Sequence, residues 1–349
     1  YNVANILKYH YGVRSKEKSI DMSTSHTETI SVPSFWTEGL VKNINSGSTW
    51  YKIQDAIDNA SSGNTLHIWA WNYSENVEVD ESITIIGNAT SNTTLNITSG
   101  RGFQISSDDV SISNITVKGC GSTATHNAFQ ISGDDVIVEN VVGTTCAKGI
   151  SVSGSGVWVA NSSFINNYDN GVEIWEGSSS TTAVTLYNNN VSSNGGNGIS
   201  ITEDDTIIKL NIIKDNAGDG ISVNAAADVV IDGNTISDNS NDGIETFNSS
   251  PGITIKNNVI TDSSSNGIKV SSSNSNNGVL ENNTISGSGA MGIFINHSDN
   301  YYLGNNSISS SGSKDVRFNK ATTGNSGKGN NFSTIQIDNS AYFARYNSL

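Results

Sequence analysis

Between Gly102 and Phe318 the chain states one pattern nine times: Gly-hydrophobe-polar-hydrophobe, a polar turn, a second pair of alternating hydrophobes, an Asn, and a third hydrophobe. The clearest copies open at Gly198-Ile199-Ser200-Ile201, Gly220-Ile221-Ser222-Val223, Gly243-Ile244-Glu245-Thr246, Gly267-Ile268-Lys269-Val270 and Gly292-Ile293-Phe294-Ile295. Opening residues fall at 102, 128, 149, 171, 198, 220, 243, 267 and 292, with Ala128 in place of Gly. A unit of about 23 residues cannot bury its own hydrophobic face, so successive units must stack, and the chain is a solenoid.

Each repeat holds three runs of two or three alternating hydrophobes bounded by Asn, Asp, Gly or Ser, which reads as three short strands per coil and no helix. Alternation sends Ile221, Val223, Val229, Ile231 and Ile236 inward, and Ser222, Val230, Asp232 and Thr235 outward. Parallel pairing with the next coil then satisfies the backbone at about 4.8 Å per coil, so about eleven coils make a stack of roughly 50 Å. Down the stack, Asn189, Asn211, Asn234, Asn258, Asn283 and Asn306 share one position, and Asn167, Asn194, Asn216 and Asn239 share another. An amide side chain both donates and accepts, and Asn tolerates a left-handed turn, so these columns are expected to be structural ladders at the bends.

The coils resemble the right-handed parallel β-helix repeats of the pectate-lyase-like superfamily, above all its NosD-like carbohydrate-binding and sugar-hydrolase group. The entry is similar too. Residues 51–60 carry Ile53, Ala56, Ile57 and Ala60 at helical spacing, ahead of Gly63-Asn64-Thr65-Leu66-His67-Ile68, Tyr73-Ser74-Glu75-Asn76-Val77-Glu78-Val79 and Ser82-Ile83-Thr84-Ile85-Ile86-Gly87. The resemblance spans roughly residues 50–318. It implies an all-β, right-handed, single-stranded parallel β-helix over 46–349, with a capping helix at 51–60, a C-terminal cap at 319–349 and a non-repeat extension at 1–45. It leaves function open, because this architecture hosts lyases, hydrolases, epimerases, adhesins and structural proteins.

The residues narrow the chemistry. Net charge is −15 with 15% charged residues, which argues against nucleic acid as a partner. No apolar run is long enough for a membrane span. The first residue is Tyr1, which suggests a removed leader and a secreted or cell-surface setting. Thirteen Asn-X-Ser/Thr sequons occur, a count that a chain so rich in Asn, Ser and Thr reaches by composition alone. Glycosylation candidates among them are Asn72, Asn88, Asn92, Asn96, Asn161, Asn248, Asn296 and Asn331. Cys120 and Cys146 occupy the repeat position that later coils give to Asn167 and Asn194. Stacking brings their Cα atoms to about 5 Å, which suits either a disulfide or two buried thiols.

The resemblance implies that a lyase would carry a calcium-binding Asp/Glu cluster and a basic Arg or Lys. The only arginines are Arg14, Arg101, Arg317 and Arg345, and none lies in the superfamily's Arg-rich lyase motif. Val157-Trp158-Val159-Ala160-Asn161 resembles a lyase strand, yet Ala160 and Asn161 stand where that motif has Asp and His. Asp108-Asp109, Asp134-Asp135 and Asp204-Asp205 recur at one turn, without the Gly-His-Gly and Arg-Ile-Lys elements of the polygalacturonase-like hydrolases. One acidic ridge is more suggestive: Asp215, Asp238 and Asp262 align on three coils, and Asp219 and Asp242 on two. It reads as a Ca²⁺ site, as an acid-base pair acting on a glycan, or as a solvated Asn/Asp turn, since Asn170, Asn197 and Asn266 share the column of Asp219. The scattered histidines give no transition-metal site. Trp158 and Trp175 are expected outward, as sugar-stacking or protein-contact residues.

Residues 1–45 follow no repeat and carry a net charge of +1, with Lys8, Arg14, Lys16 and Lys18 grouped, against −16 for the remainder. A basic arm beside an acidic solenoid suggests a clasp or an assembly device. On sequence alone the leading expectation is an extracellular structural subunit that self-assembles into a filament, sheath or surface layer through that arm. The alternative is a secreted β-helix that binds or degrades a polysaccharide.

Overall fold

The computed structural model describes residues 40–175, 183–272, 274–319 and 323–338, and the backbone of 343–345. The extension and its Lys8, Arg14, Lys16 and Lys18 lie outside the described residues. The chain divides into Tyr1–Thr37 and Glu38–Leu349.

Within the second unit, about eleven turns wind through three sheets of twelve, fifteen and eleven strands, here called C, A and B in the order a coil visits them. One coil runs Ile221–Asn224 in sheet C, Val230–Asp232 in sheet A and Thr235–Ser237 in sheet B. Register is like over like: Ile199 pairs with Ile221, Ile221 with Ile244, Ile244 with Ile268 and Ile268 with Ile293. The alternating residues of all three sheets therefore fill one continuous core, in which Ile221, Val223, Ile231 and Ile236 are fully buried. Aromatic rungs stack likewise, with Phe103 and Phe129 parallel within 4° and 5.7 Å apart.

The Asn columns are ladders, with a geometry that differs from the expectation. Asn211 N–H donates to Asn234 Oδ1 at 2.8 Å and Asn211 Nδ2 to the same oxygen at 3.0 Å, and Asn234 repeats both bonds to Asn258. Each amide also reaches back to a strand carbonyl, as Asn234 Nδ2 does to Ile208 O at 2.9 Å. The left-handed residue is the one before the ladder Asn: Asn188, Leu210, Gly233, Asn257, Asn282 and Asn305 all have φ between 51° and 69°. The bend turns on that residue, which frees the following Asn to point inward and satisfy buried backbone.

Both ends depart from the sequence boundaries. Val41–Asn43 pairs antiparallel with Thr49–Trp50 and Thr65–Ile68, so sheet A is extended ahead of its first parallel pair by strands that start before residue 46. The helix covers only Ile53–Ile57, burying Ile53, Ala56 and Ile57 against the first coil. Its first amides donate to Glu75, Ile53 N–H to Oε1 at 2.9 Å and Gln54 N–H to Oε2 at 3.1 Å, and it ends at the C-cap Asp58, whose N–H donates to Gln54 O at 2.9 Å. In the segment expected to be a C-terminal cap, Asn325–Lys328 and Phe343–Arg345 extend sheet A, and Ile335–Ile337 extends sheet C. The described part of that segment continues the coils.

Candidate functional site

The chemistry of this solenoid concentrates on the outer face of sheet C, at the polar residue of the Gly-hydrophobe-polar-hydrophobe step. Parallel register stacks these residues into a column: Gln104, Gln130, Ser151, Glu173, Ser200, Ser222, Glu245, Lys269, Phe294 and Arg317.

Over the early coils this column floors a groove made of two adjoining cavities. One, of about 320 Å³, is lined by Asn76, Glu78, Gly100, Arg101, Gln104 and His126 among others. The next, of about 370 Å³, shares Arg101, Gln104 and Thr125 and adds Gln130, Lys148, Ser151, Glu173 and Trp175. Its polar groups are held in place. Lys148 Nζ lies 2.7 Å from Glu173 Oε2, Ser151 Oγ donates to the same oxygen at 3.3 Å, and Trp175 Nε1 donates to Ser151 Oγ at 3.2 Å. The Trp175 ring is 44% exposed over this wall, because it follows strand Val172–Ile174 at the point where the chain leaves the sheet.

Three coils further along, about 14 Å at 4.8 Å per coil, a second cluster gathers Asp219, Asp242 and Glu245, each offering an oxygen within 4.8 Å of the others. Lys269 joins it, with Nζ 2.6 Å from Glu245 Oε1 and 3.5 Å from Asp242 Oδ2. Asp219 and Asp242 are rungs of a third ladder. Asn197 Oδ1 accepts from Asp219 N–H at 2.8 Å, Asp219 Oδ1 from Asp242 N–H at 3.0 Å, and Asp242 Oδ1 from Asn266 N–H at 2.7 Å. Only one carboxylate oxygen of each serves the ladder. Asp219 is 5% exposed and Asp242 0%. Burial, reinforced by the charges of Glu245 and Asp242, pushes the Asp219 carboxyl up to about 7, against the opposing bonds from Asp242 N–H and Asn241. Burial works against the Lys269 charge, yet Glu245 and Asp242 outweigh it and hold its pKa above the usual lysine value. The Lys269 ammonium sits where a cation would be drawn, beside an Asp219 carboxyl whose burial favours its protonated form.

The five aspartates grouped by sequence therefore separate. Asp215, Asp238 and Asp262 are exposed, with φ of 57°, 56° and 53°, and serve as the left-handed turn residues before Asn216, Asn239 and Ser263. They do not meet Asp219 and Asp242, which lie across the turn beside sheet C. The pairs Asp108-Asp109, Asp134-Asp135 and Asp204-Asp205 are also turn ladders: Asp108 Oδ1 accepts from Asp134 N–H at 2.8 Å and Asp134 Oδ1 from Ser155 N–H at 2.7 Å. Trp158 and Trp175 occupy different faces. Trp158 lies on sheet A, stacked on Tyr187 at 5.7 Å, with Nε1 donating to Glu139 Oε1 at 3.3 Å. Asn72, Asn88, Asn92, Asn96, Asn161, Asn248 and Asn331 are exposed, and Asn296 is half-buried. Cys120 and Cys146 form a disulfide between successive coils, Cα to Cα 4.5 Å.

Glu245, Lys269, Arg101, Lys148 and Glu173 escaped the sequence reading as site residues. For Glu173, Glu245 and Lys269 the signal was an outward column, the third residue of each repeat's opening step, whereas Arg101 and Lys148 stand just before that step, ahead of Gly102 and Gly149.

Comparison with known proteins agrees with this architecture. No curated protein matches the chain. Among solved structures, the A-module of the Azotobacter vinelandii mannuronan C-5 epimerase AlgE4 is 15% identical, with a TM-score of 0.69 over 85% of this chain and 94% of that one. The catalytic unit of a family 87 α-1,3-glucanase from Streptomyces thermodiastaticus is 17% identical, with a TM-score of 0.66 over 81% and 66%. The Dettilon tailspike protein is 12% identical, with a TM-score of 0.51 over 78% and 61%. At these identities the likeness is one of fold. The family model described as right handed beta helix region matches residues 101–257 and again 149–308, together more than half of the chain, and the protein belongs to that family.

Proposed function

We propose that this protein binds a polysaccharide along the outer face of sheet C, with the groove between Asn76 and Trp175 as the main contact. The observation that carries this reading is the groove itself: an elongated, polar cleft whose floor is one side chain per coil and whose wall is an exposed indole. A sugar chain suits such a site, because its hydroxyls meet Gln104, Gln130 and Ser151 while a ring face packs on Trp175. Solved structures similar to this one in fold include a mannuronan C-5 epimerase and an α-1,3-glucanase, which supports a glycan ligand. The Cys120–Cys146 disulfide supports an oxidising, extracytoplasmic setting. Self-assembly through the basic extension draws no support from the described residues, so the glycan reading takes precedence.

Isothermal titration with oligosaccharides of mannuronate, guluronate and α-1,3-linked glucose tests it. At least one series should bind, and Trp175→Ala should weaken that binding by about tenfold or more, as expected for a central aromatic contact. Binding to none of them, or binding indifferent to Trp175→Ala, sinks the assignment to this groove.

A further inference from the structure

The turn from sheet B into sheet C is nearly constant in length, except at the groove. Between Lys214 and Ile221 it holds residues 215–220, six in all, and the same six-residue spacing recurs at 193–198, 238–243, 262–267 and 287–292. Between Lys118 and Phe129 it holds residues 119–128, ten in all. The extra residues wall the groove: Thr125 and His126 line the first cavity, and Ala124, Thr125 and Asn127 the second.

This loop is fastened at several points. Gly119 and Gly121, with φ of 81° and 92°, reverse the chain on either side of Cys120, in a region costly for any residue with a Cβ. Cys120 is bonded to Cys146 of the next coil. At the far end, His126 N–H donates to Thr123 O at 2.7 Å, and His126 Nδ1 lies 2.9 Å from Cys120 O and 3.2 Å from Gly100 N. The loop in turn holds Arg101: its Nε donates to Thr125 O at 3.2 Å and its Nη1 to Gln104 Oε1 at 2.6 Å. A guanidinium has five donors. These two bonds fix its plane and leave Nη2 with no acceptor among the described residues. Lys148, the other cation of the groove, is neutralised by Glu173, whereas Arg101 makes no ion pair among the described residues.

We propose that the disulfide-strutted loop 119–127 holds Arg101 as the anion-reading group of the groove, so that the glycan bound there carries a carboxylate or sulfate. The proposal rests on the glycan reading above. A fixed planar fork with free donors meets two oxygens of a carboxylate or sulfate at once, and fixing it beforehand removes the entropy cost of ordering a long side chain on binding.

Titration of wild type, Arg101→Gln, Arg101→Lys and the Cys120→Ser/Cys146→Ser pair against mannuronate oligomers and neutral α-1,3-gluco-oligomers tests both halves. Arg101→Gln should lose about tenfold or more in affinity for the acidic series, with less salt dependence, and keep its affinity for the neutral one. Arg101→Lys should fall between. The cysteine pair, with an unchanged far-ultraviolet spectrum, should lose acidic binding selectively; if it fails to fold, deletion of residues 122–125 asks the same question. Acidic binding unchanged in Arg101→Gln overturns the anion-reading role, as does equal loss for both series. Acidic binding unchanged in a folded cysteine pair or loop deletion overturns the strut. If wild type binds no glycan, the underlying reading fails first and takes this one with it.

Discussion

Replacing Asp219 by Asn should make the protein more stable, and increasingly so as pH rises. The ladder through this position needs only a side-chain oxygen that accepts the amide of the next coil, which Asp219 gives to Asp242 N–H at 3.0 Å and Asn197 gives to Asp219 N–H at 2.8 Å. Asn keeps that acceptor. Its Nδ2 would also be placed to donate to Asn197 Oδ1, as Asn266 Nδ2 donates to Asp242 Oδ1 at 2.8 Å. Asp instead brings a charge into a buried, acidic corner, and its carboxyl rises from 3.8 to about 7. Between those values the folded state holds a proton that the unfolded state has lost, so stability falls as pH rises across that window and levels off above it. At 1.36 kcal/mol per unit, ionisable Asp219 costs about 2 kcal/mol at pH 5 and about 4 kcal/mol at pH 8 relative to a neutral rung. These are upper limits, since local relaxation and water entry reduce them.

Urea unfolding of wild type and Asp219→Asn at pH 5 and pH 8, followed by two probes to check cooperativity in a repeat protein, reads the difference. The variant's advantage should grow by roughly 2 kcal/mol between the two pH values. Curves that stay parallel across that range would show that Asp219 titrates normally, and the account of the cluster as a strained acidic corner would be wrong.

Two further substitutions probe the scaffold. Asn234→Ala removes the acceptor of Asn211 N–H and the donor to Ile208 O, leaving two buried polar groups short of a partner, while Asn211 Nδ2 keeps Leu186 O and Lys209 O. The expected cost is about 3–5 kcal/mol, read as a fall in the denaturation midpoint, and a loss below about 1 kcal/mol would mean that water replaces the rung. The Cys120→Ser/Cys146→Ser pair opens a link 26 residues apart in sequence and should cost about 3 kcal/mol. Native-state hydrogen exchange should show the loss concentrated in the two coils it joins, since coils contact only their neighbours.

The fold was legible because a parallel stack repeats its constraint in every coil. Ile199, Ile221, Ile244, Ile268 and Ile293 must all face inward, and each confirms the register of the next. The cysteine position was legible for the same reason: Cys146 N–H donates to Asn167 Oδ1 at 3.2 Å, so cysteine and Asn do fall in one column. The site was less so. Alignment of columns shows which residues stack, but not which side of a bend they face. Asp215 and Asp219 are four residues apart, yet the turn between them sends one to solvent and the other against Glu245. The wall of the groove was illegible for a different reason. Loop 119–128 is an insertion, and a repeat says nothing about the path of residues it does not contain.

What the stack requires and what it merely carries can be separated at the third ladder. Asn170, Asn197 and Asn266 hold their rungs with uncharged amides, so neither Asp219 nor Asp242 is demanded by the backbone. A buried carboxyl raised to about 7 is costly as structure, and as chemistry it can release or hold a proton near neutral pH. Asp219→Asn therefore discriminates in one variant between rung and reactive group. If it gains stability and binds the same oligosaccharides as before, the acid belongs to the ladder alone. If it gains stability and loses turnover of a glycan that wild type cleaves or epimerises, with binding intact, the cluster at Asp219, Asp242, Glu245 and Lys269 is where the protein acts on the chain it holds.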